Sequence, residues 1–191
     1  MNTDKANRFA DEQAIREVVL RLCQAIDRKD LASIRKSYHP DATDIHGAFE
    51  GDVEGFISWF QKRHEPIPFS MHMVANIVID FADMNNALVE SYHSVIQTYP
   101  QAAKASLAQF VGPEVLEMGD EFDFVGYGRY VDRFQKRDGE WRILRRTLVS
   151  GRKIVLAATA PHEPDSRWIS DRRDSNDTLF TERRAMGLPT N

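Results

Sequence analysis

The sequence predicts an α+β domain in which three amphipathic helices precede a curved, largely antiparallel sheet. Apolar residues recur at helical spacing in the first third of the chain, and they alternate with polar residues in the segments after residue 70. A length of 191 residues suits one domain with a real core. A curved sheet wrapped on a helical layer encloses a cavity, so we expect a pocket on its concave side.

Three helices are predicted, over residues 11–28, from Asp30 onward, and over residues 52–63. In the first helix one face carries the apolar residues Ile15, Val18, Val19, Leu22 and Ile26. Asp11 is its predicted N-cap, because a short carboxylate there can accept hydrogen bonds from the first backbone amides. The His39-Pro40-Asp41 segment is predicted to be a turn that ends the second helix.

Four long strands are predicted over residues 70–80, 87–99, 122–137 and 141–151, with a short strand at residues 43–46. In the first long strand, alternation puts His72, Val74, Asn76 and Val78 on one face. Asp138-Gly139 is a strong signal for a two-residue hairpin turn between the last two strands. Residues 100–120 are predicted to form an irregular, partly helical insertion.

Composition narrows the class of protein. The formal net charge is −4, so we do not expect the concentrated basic face that nucleic-acid binding needs. No apolar run approaches a membrane span and no signal peptide precedes the domain, so we expect a cytoplasmic protein. Cys23 is the only cysteine, which excludes an intrachain disulfide. The polar residues 161–191 are predicted to be an extended tail, either frayed or ordered by packing on the domain.

Five short motifs occur in a distinctive order. They are Asp11-Glu12-Gln13-Ala14-Ile15-Arg16, Ala25-Ile26-Asp27-Arg28-Lys29-Asp30, Tyr38-His39-Pro40-Asp41-Ala42, His72-Met73-Val74-Ala75-Asn76 and Arg137-Asp138-Gly139-Glu140-Trp141-Arg142-Ile143. Their order and spacing over residues 11–151 resemble the SnoaL-like domain of the nuclear transport factor 2 superfamily. The resemblance implies a cone-shaped α+β barrel for residues 1–160, commonly a homo-oligomer such as a dimer or trimer.

The branch that the chain resembles contains scytalone dehydratase, bile-acid 7α-dehydratase, hexachlorocyclohexane dehydrochlorinase and a lignin-dimer γ-formaldehyde lyase. The resemblance implies elimination from a small hydrophobic aromatic or polycyclic substrate, without metal or organic cofactor. It also implies an aspartate at the end of the first helix, a histidine on the first long strand and an arginine late in the last strand. Asp27, His72 and Arg146 stand at these positions, whereas Ile26 stands where scytalone dehydratase has a tyrosine.

The residue types fit an acid–base pair. A carboxylate bonded to one ring nitrogen fixes the tautomer of a histidine and leaves the other nitrogen as a general base. We therefore expect His72 to remove a proton from an activated carbon and Asp27 to stabilise the imidazolium. The candidates for assisting the leaving group are Tyr92, His93, Tyr127, Tyr130 and Arg146. The candidates for the pocket wall also include Tyr38, Phe49, Trp59, Phe60, Phe69 and Met71.

Other interpretations remain open from the sequence. Arg146 either binds a substrate anion or forms an ion pair with Glu90 or Asp132. The cluster of His39, His46, Asp41 and Asp44 superficially suggests a metal site but is more typical of a turn. At the level of function, a steroid-type ketone isomerase and a noncatalytic ligand-binding or subunit-interaction module are the alternatives.

Overall fold

A computed structural model describes residues 3–158 and 167–189. The helices are α1 (Thr3–Arg28), α2 (Leu31–Lys36), α3 (Val53–His64), a 3-10 helix (Gln101–Gln109), α4 (Pro113–Leu116) and α5 (Thr178–Ala185). The strands are β1 (Tyr38–His46), β2 (Phe49–Asp52), β3 (Phe69–Phe81), β4 (Asn86–Tyr99), β5 (Phe122–Arg137) and β6 (Glu140–Ala157).

The six strands form one curved sheet in the order β2-β1-β6-β5-β4-β3. All neighbours are antiparallel except β1 and β6, which run parallel. The sheet is open, with β2 and β3 at its edges in the described part of the chain. The predicted α+β class with helices on the concave face of a curved sheet is confirmed.

The helices bury the apolar faces that the sequence predicts. Asp30 caps α2 through the amide of Ser33, and Asp52 caps α3 through the amide of Gly55. The main core lies between these helices and the sheet, and its fully buried side chains include Ile15, Val19, Leu22, Ile34, Phe60, Phe134 and Ile143. Both turn residues of the β5–β6 hairpin have positive φ, 52° at Asp138 and 83° at Gly139, as a type I′ turn requires.

Two local predictions near the N-terminal half are wrong. Asp11 does not cap α1, which begins at Thr3; its carboxylate instead accepts hydrogen bonds from Lys136 Nζ at 2.7 Å and Trp141 Nε1 at 2.9 Å. The segment around Pro40 is not a turn but part of β1, which pairs with β6. Both errors arise because tertiary partners, absent from local sequence patterns, supply the hydrogen bonds.

A bulge in β3 corrects the predicted strand faces. Val74 lies opposite His93, but Ile77 lies opposite Ser91, so two residues of β3 face one residue of β4. The extra residue reverses the alternation, as β-bulges do. His72 and Val74 therefore share the inner face with Ile77, whereas Val78 is exposed on the outer face.

Residues 100–120 form the predicted irregular insertion, with a 3-10 helix and α4. This segment encloses a second apolar cluster at one end of the sheet, where Leu107 and Phe110 pack near Tyr99, Phe122 and Phe124. The insertion therefore closes that end of the concave face.

The described part of the C-terminal segment packs on the domain, while residues 159–166 lie outside the described residues. Arg173 is buried, and its guanidinium donates hydrogen bonds to three main-chain carbonyls, those of Ile26, Asp27 and Ile67, at 2.8–3.0 Å. Arg28 at the end of α1 also forms ion pairs with Asp171 and Asp177. The segment thus satisfies the free carbonyls at the C-terminal end of α1.

Replacing Arg173 with leucine is expected to lower the free energy of unfolding by about 1–3 kcal/mol, because buried carbonyls lose their donors. Arg172→Leu is the matched control, since Arg172 is half exposed and pairs only with Asp174 within the described chain; its effect should stay within about 0.5 kcal/mol. Urea unfolding monitored by circular dichroism measures both values. Equal losses in the two variants would show that the Arg173 contacts do not stabilise the fold.

Candidate active site

A cavity of about 170 Å³ lies between α1, α3 and the inner face of the sheet. Its wall is largely aromatic, with Tyr38, Phe56, Trp59, Phe60, Phe110, Phe124, Tyr127 and Tyr130. The polar groups that reach it include His46, His64, His72, His93, Gln97 and Arg146. A few convergent polar groups on an apolar wall are typical of ligand sites.

Asp27 and His72 meet at this cavity. Asp27 lies in the last turn of α1, which ends at Arg28 and is followed by Lys29 with a positive φ of 54°. Its Oδ1 accepts a hydrogen bond from His72 Nδ1 at 2.7 Å, and its Oδ2 accepts one from the His72 amide at 2.7 Å. Because an ionised carboxylate can only accept a hydrogen bond, Nδ1 of His72 carries a proton, and in the neutral ring Nε2 would then hold the lone pair.

A chain of hydrogen bonds supports the pair from behind, and the sequence reasoning missed it. Ser70 Oγ donates to Asp27 Oδ1 at 3.0 Å and accepts from Gln97 Nε2 at 3.2 Å. Tyr99 donates to Gln97 Oε1 at 2.9 Å and accepts from Arg63 at 2.9 Å. Gln97 and Tyr99 follow His93 at even spacing on β4, and this period places them on its inner face.

Arg146 forms a buried, bidentate ion pair with Asp132, with Nε–Oδ1 and Nη2–Oδ2 distances of 2.8 and 2.7 Å. Of the alternatives left open by the sequence, the ion pair with Asp132 is confirmed, whereas Glu90 pairs with Arg129. The guanidinium also lies 4.1 Å from the Tyr130 ring centroid. Arg146 lines the cavity, but its Nε and Nη2 are already bonded to Asp132.

His93 stacks on Tyr130, with ring centroids 4.2 Å apart and an interplanar angle of 17°. Its Nδ1 is buried without a hydrogen-bond partner in the described part of the chain. Burial, reinforced by nearby cationic side chains, lowers the pKa of His93 from 6.5 to about 3. Burial likewise raises the pKa of Tyr130. Both rings are therefore neutral near pH 7.

His46 also reaches the cavity, although the sequence analysis assigned it only to the short strand at residues 43–46. Its ring lies among Phe56, Trp59 and Tyr130, and its Nδ1 is 3.4 Å from Oδ1 of the fully buried Asp44. Tyr38 donates a hydrogen bond of 2.7 Å to the other oxygen of Asp44. Within residues 3–158 and 167–189, no group of three or more His, Cys, Asp or Glu is placed to hold a metal ion.

The predicted wall residues fall into two sets. Those that line the cavity are Tyr38, Trp59, Phe60, His93, Tyr127 and Tyr130. Phe49 packs behind Phe56 and Trp59, and Phe69 lies at the start of β3 outside the cavity. Tyr92 and Met71 are exposed on the outer face, because neighbouring residues of a strand point to opposite sides of the sheet.

The lowered pKa of His93 makes stability depend on pH. Between about pH 6.5 and pH 3 the unfolded chain binds a proton at this residue that the folded chain does not, so the free energy of unfolding should fall as the pH falls. In His93→Gln the decrease between pH 7 and pH 4 should be smaller, as measured by urea unfolding at each pH. Parallel curves for the two proteins would contradict the assignment.

The described helices include none long and apolar enough to cross a membrane. No curated protein matches the chain in sequence. Among solved structures, a proposed scytalone dehydratase from Novosphingobium aromaticivorans aligns with a TM-score of 0.63 at 19% identity, covering 82% of this chain and 94% of that one.

Two further structures have similar folds. The hexachlorocyclohexane dehydrochlorinase LinA-type3 from Novosphingobium barchaimii aligns with a TM-score of 0.66 at 13% identity, covering 84% of this chain and 99% of that one. A proposed aromatic ring hydroxylase from Novosphingobium aromaticivorans has a TM-score of 0.61 at 15% identity, with 78% and 94% of the two chains covered. These identities establish the common fold only. Residues 7–147 match the family model of the SnoaL-like domain, and the chain therefore belongs to the SnoaL-like family.

Proposed function

We propose that the chain is a cofactor-independent lyase that eliminates water, or water with formaldehyde, from a hydrophobic aromatic alcohol. The observation that carries the proposal is the Asp27–His72 pair, in which the imidazole is bonded to the carboxylate through Nδ1 and lines an aromatic-walled cavity. Similarity in fold to a proposed scytalone dehydratase and to a dehydrochlorinase supports the same reaction class, because dehydratases and dehydrochlorinases carry out eliminations.

In the proposed reaction, His72 Nε2 takes a proton from a carbon next to a carbonyl or an electron-rich ring. The electron pair of that C–H bond forms the new double bond, and the bond to the leaving oxygen breaks. Asp27 stabilises the resulting imidazolium through Nδ1, and its two hydrogen bonds to the ring and amide of His72 keep the ring oriented. Proton transfer by a positioned side chain contributes about 10²–10⁴-fold to the rate.

The volume of the cavity limits the size of the substrate. The cavity volume of about 170 Å³ is below the ~300–1,000 Å³ that is common for ligand pockets. Within the proposed class, this volume favours a substrate with one aromatic ring and a short side chain over a polycyclic one. Stacking against Trp59 or Tyr127 would hold such a ring.

Self-association is a further part of the proposal. The outer face of the sheet exposes several large apolar side chains, namely Met71, Met73, Val78 and Tyr92. Exposed apolar patches of this kind commonly mark contact surfaces. We therefore propose that a second copy of the chain covers this face, which sedimentation velocity can measure directly.

Asp27→Asn and His72→Gln should each lower turnover by at least about a hundredfold, because each variant removes the proton acceptor or its orienting charge. The assay compounds are aryl β-hydroxy ketones and phenolic aryl alcohols. Mass spectrometry measures the loss of water, or of water and formaldehyde, from each compound. The matched controls are Asp80→Asn, at an exposed position of β3, and His39→Gln, whose ring contacts the Gln135 carbonyl outside the cavity.

The outcomes separate the candidate functions. Folded variants of Asp27 and His72 with normal turnover would contradict the mechanism. A product with unchanged mass would favour the isomerase, and binding of these compounds without turnover would favour a ligand-binding module.

A further inference from the structure

A second histidine that lines the cavity, His46, lies beside the buried carboxylate of Asp44 and forms a second carboxylate–histidine pair with it. The distance from His46 Nδ1 to Asp44 Oδ1 is 3.4 Å, and neither atom has a hydrogen-bond partner among the described residues. The two pairs come from different elements, since Asp44 and His46 lie on β1 while Asp27 and His72 lie on α1 and β3.

The two carboxylates differ in how their charge is compensated. Asp27 accepts three hydrogen bonds, two from His72 and one from Ser70. Asp44 accepts a single one, from Tyr38, and its Oδ1 has no hydrogen-bond partner among the described residues. A buried carboxylate oxygen without a donor is costly, so a positive charge on the adjacent ring would relieve that cost.

The charges around His46 favour the same state. The neighbouring strands contribute Asp132 on β5 and Arg146 on β6, which pair with each other, so Asp44 leaves this buried group with one net negative charge. α3 contributes the uncharged rings of Phe56 and Trp59 next to His46. Its Arg63 also lines the cavity, where the guanidinium donates to the Tyr99 hydroxyl.

The remaining titratable neighbours are neutral near pH 7. Burial lowers the pKa of His64 well below its usual range and that of His93 to about 3. Burial also raises the pKa values of Tyr38 and Tyr130, and that of the Cys23 thiol to about 12. An imidazolium at His46 is therefore the change that makes the group electrically neutral.

We propose that His46, held as an imidazolium by Asp44, is the proton donor to the leaving group. The inference deepens the proposed lyase function and rests on it. Neutral His72 Nε2 takes the proton from carbon, the C–O bond breaks, and the departing oxygen takes a proton from His46 Nε2 and leaves as water. The products of the step are the alkene, water, a His72 imidazolium and a neutral His46. Exchange of one proton with solvent at each ring restores the starting state.

The other candidates for this role are less suitable. Tyr92 points to the outer face of the sheet. His93 is a neutral imidazole at neutral pH, because burial lowers its pKa to about 3. Arg146 keeps its proton and is tied to Asp132. His46 is the cavity group that combines a titratable proton with an adjacent carboxylate whose second oxygen lacks a donor.

The first test is nitrogen-15 NMR of the histidine rings in the full chain at pH 7, with the signals assigned through His46→Gln and His72→Gln. We expect both ring nitrogens of His46 to carry protons, and His72 to be neutral with its proton on Nδ1. In Asp44→Asn the His46 ring should become neutral. A neutral His46 in the unmodified protein would overturn the proposal, and that result does not depend on whether Asp44→Asn folds.

The second test compares leaving groups, with 4-hydroxy-4-phenylbutan-2-one and its 4-chloro counterpart as substrates. Chloride leaves without a proton, so His46→Gln should lower loss of water by about 10²–10⁴-fold and loss of chloride by less than about tenfold. His72→Gln should lower both, because both need the base. Equal loss of both activities in His46→Gln would overturn the donor role.

Failure of the unmodified protein to convert either compound would count against the proposed lyase function. The charge state of His46 would still be decided by NMR, so the two failures are distinguishable.

Discussion

The rest of the site depends on the hydrogen bonds that hold the buried carboxylate of Asp27. It is removed from water, and its charge is tolerated because Ser70 and the ring and amide of His72 all donate to it. These bonds join the end of α1 to β3, two elements that are 45 residues apart at this contact. Arg173 binds the main chain of the same residue from the C-terminal segment. Three distant parts of the chain are thus held together at one residue.

The charged side chains on the concave face occur in pairs, and the pairs differ in arrangement. Asp132 and Arg146 neutralise one another, and the Tyr130 ring packs over the guanidinium. Asp27 orients a histidine whose second nitrogen stays open. Buried pairs of this kind add little stability by themselves, but loss of one member leaves an uncompensated charge. The cavity therefore constrains sequence more through charge balance than through apolar packing.

Local patterns in the sequence were sufficient to predict the helices, the long strands and the Asp138-Gly139 turn, because periodicity and turn chemistry are properties of neighbouring residues. The Asp27–His72 pair was predicted from the resemblance, and the contact lies at 2.7 Å. The start of α1, the inner faces of β3 and the roles of Arg173 and His46 were missed. Each of these depends on a partner far along the chain, such as Trp141 for Asp11, which spacing cannot reveal.

The bulge at residues 75–76 separates β3 into two halves with independent alternation. One half presents His72 to the cavity, and the other presents Ile77 and Ile79 to the main core. In a strand without this extra residue, strict alternation would point His72 and Ile77 to opposite faces of the sheet. The bulge lets the half that carries His72 and the half that packs in the core be modified separately during evolution, so that the shape of the cavity can change at one end of β3 while the hydrophobic centre at the other end keeps its alignment.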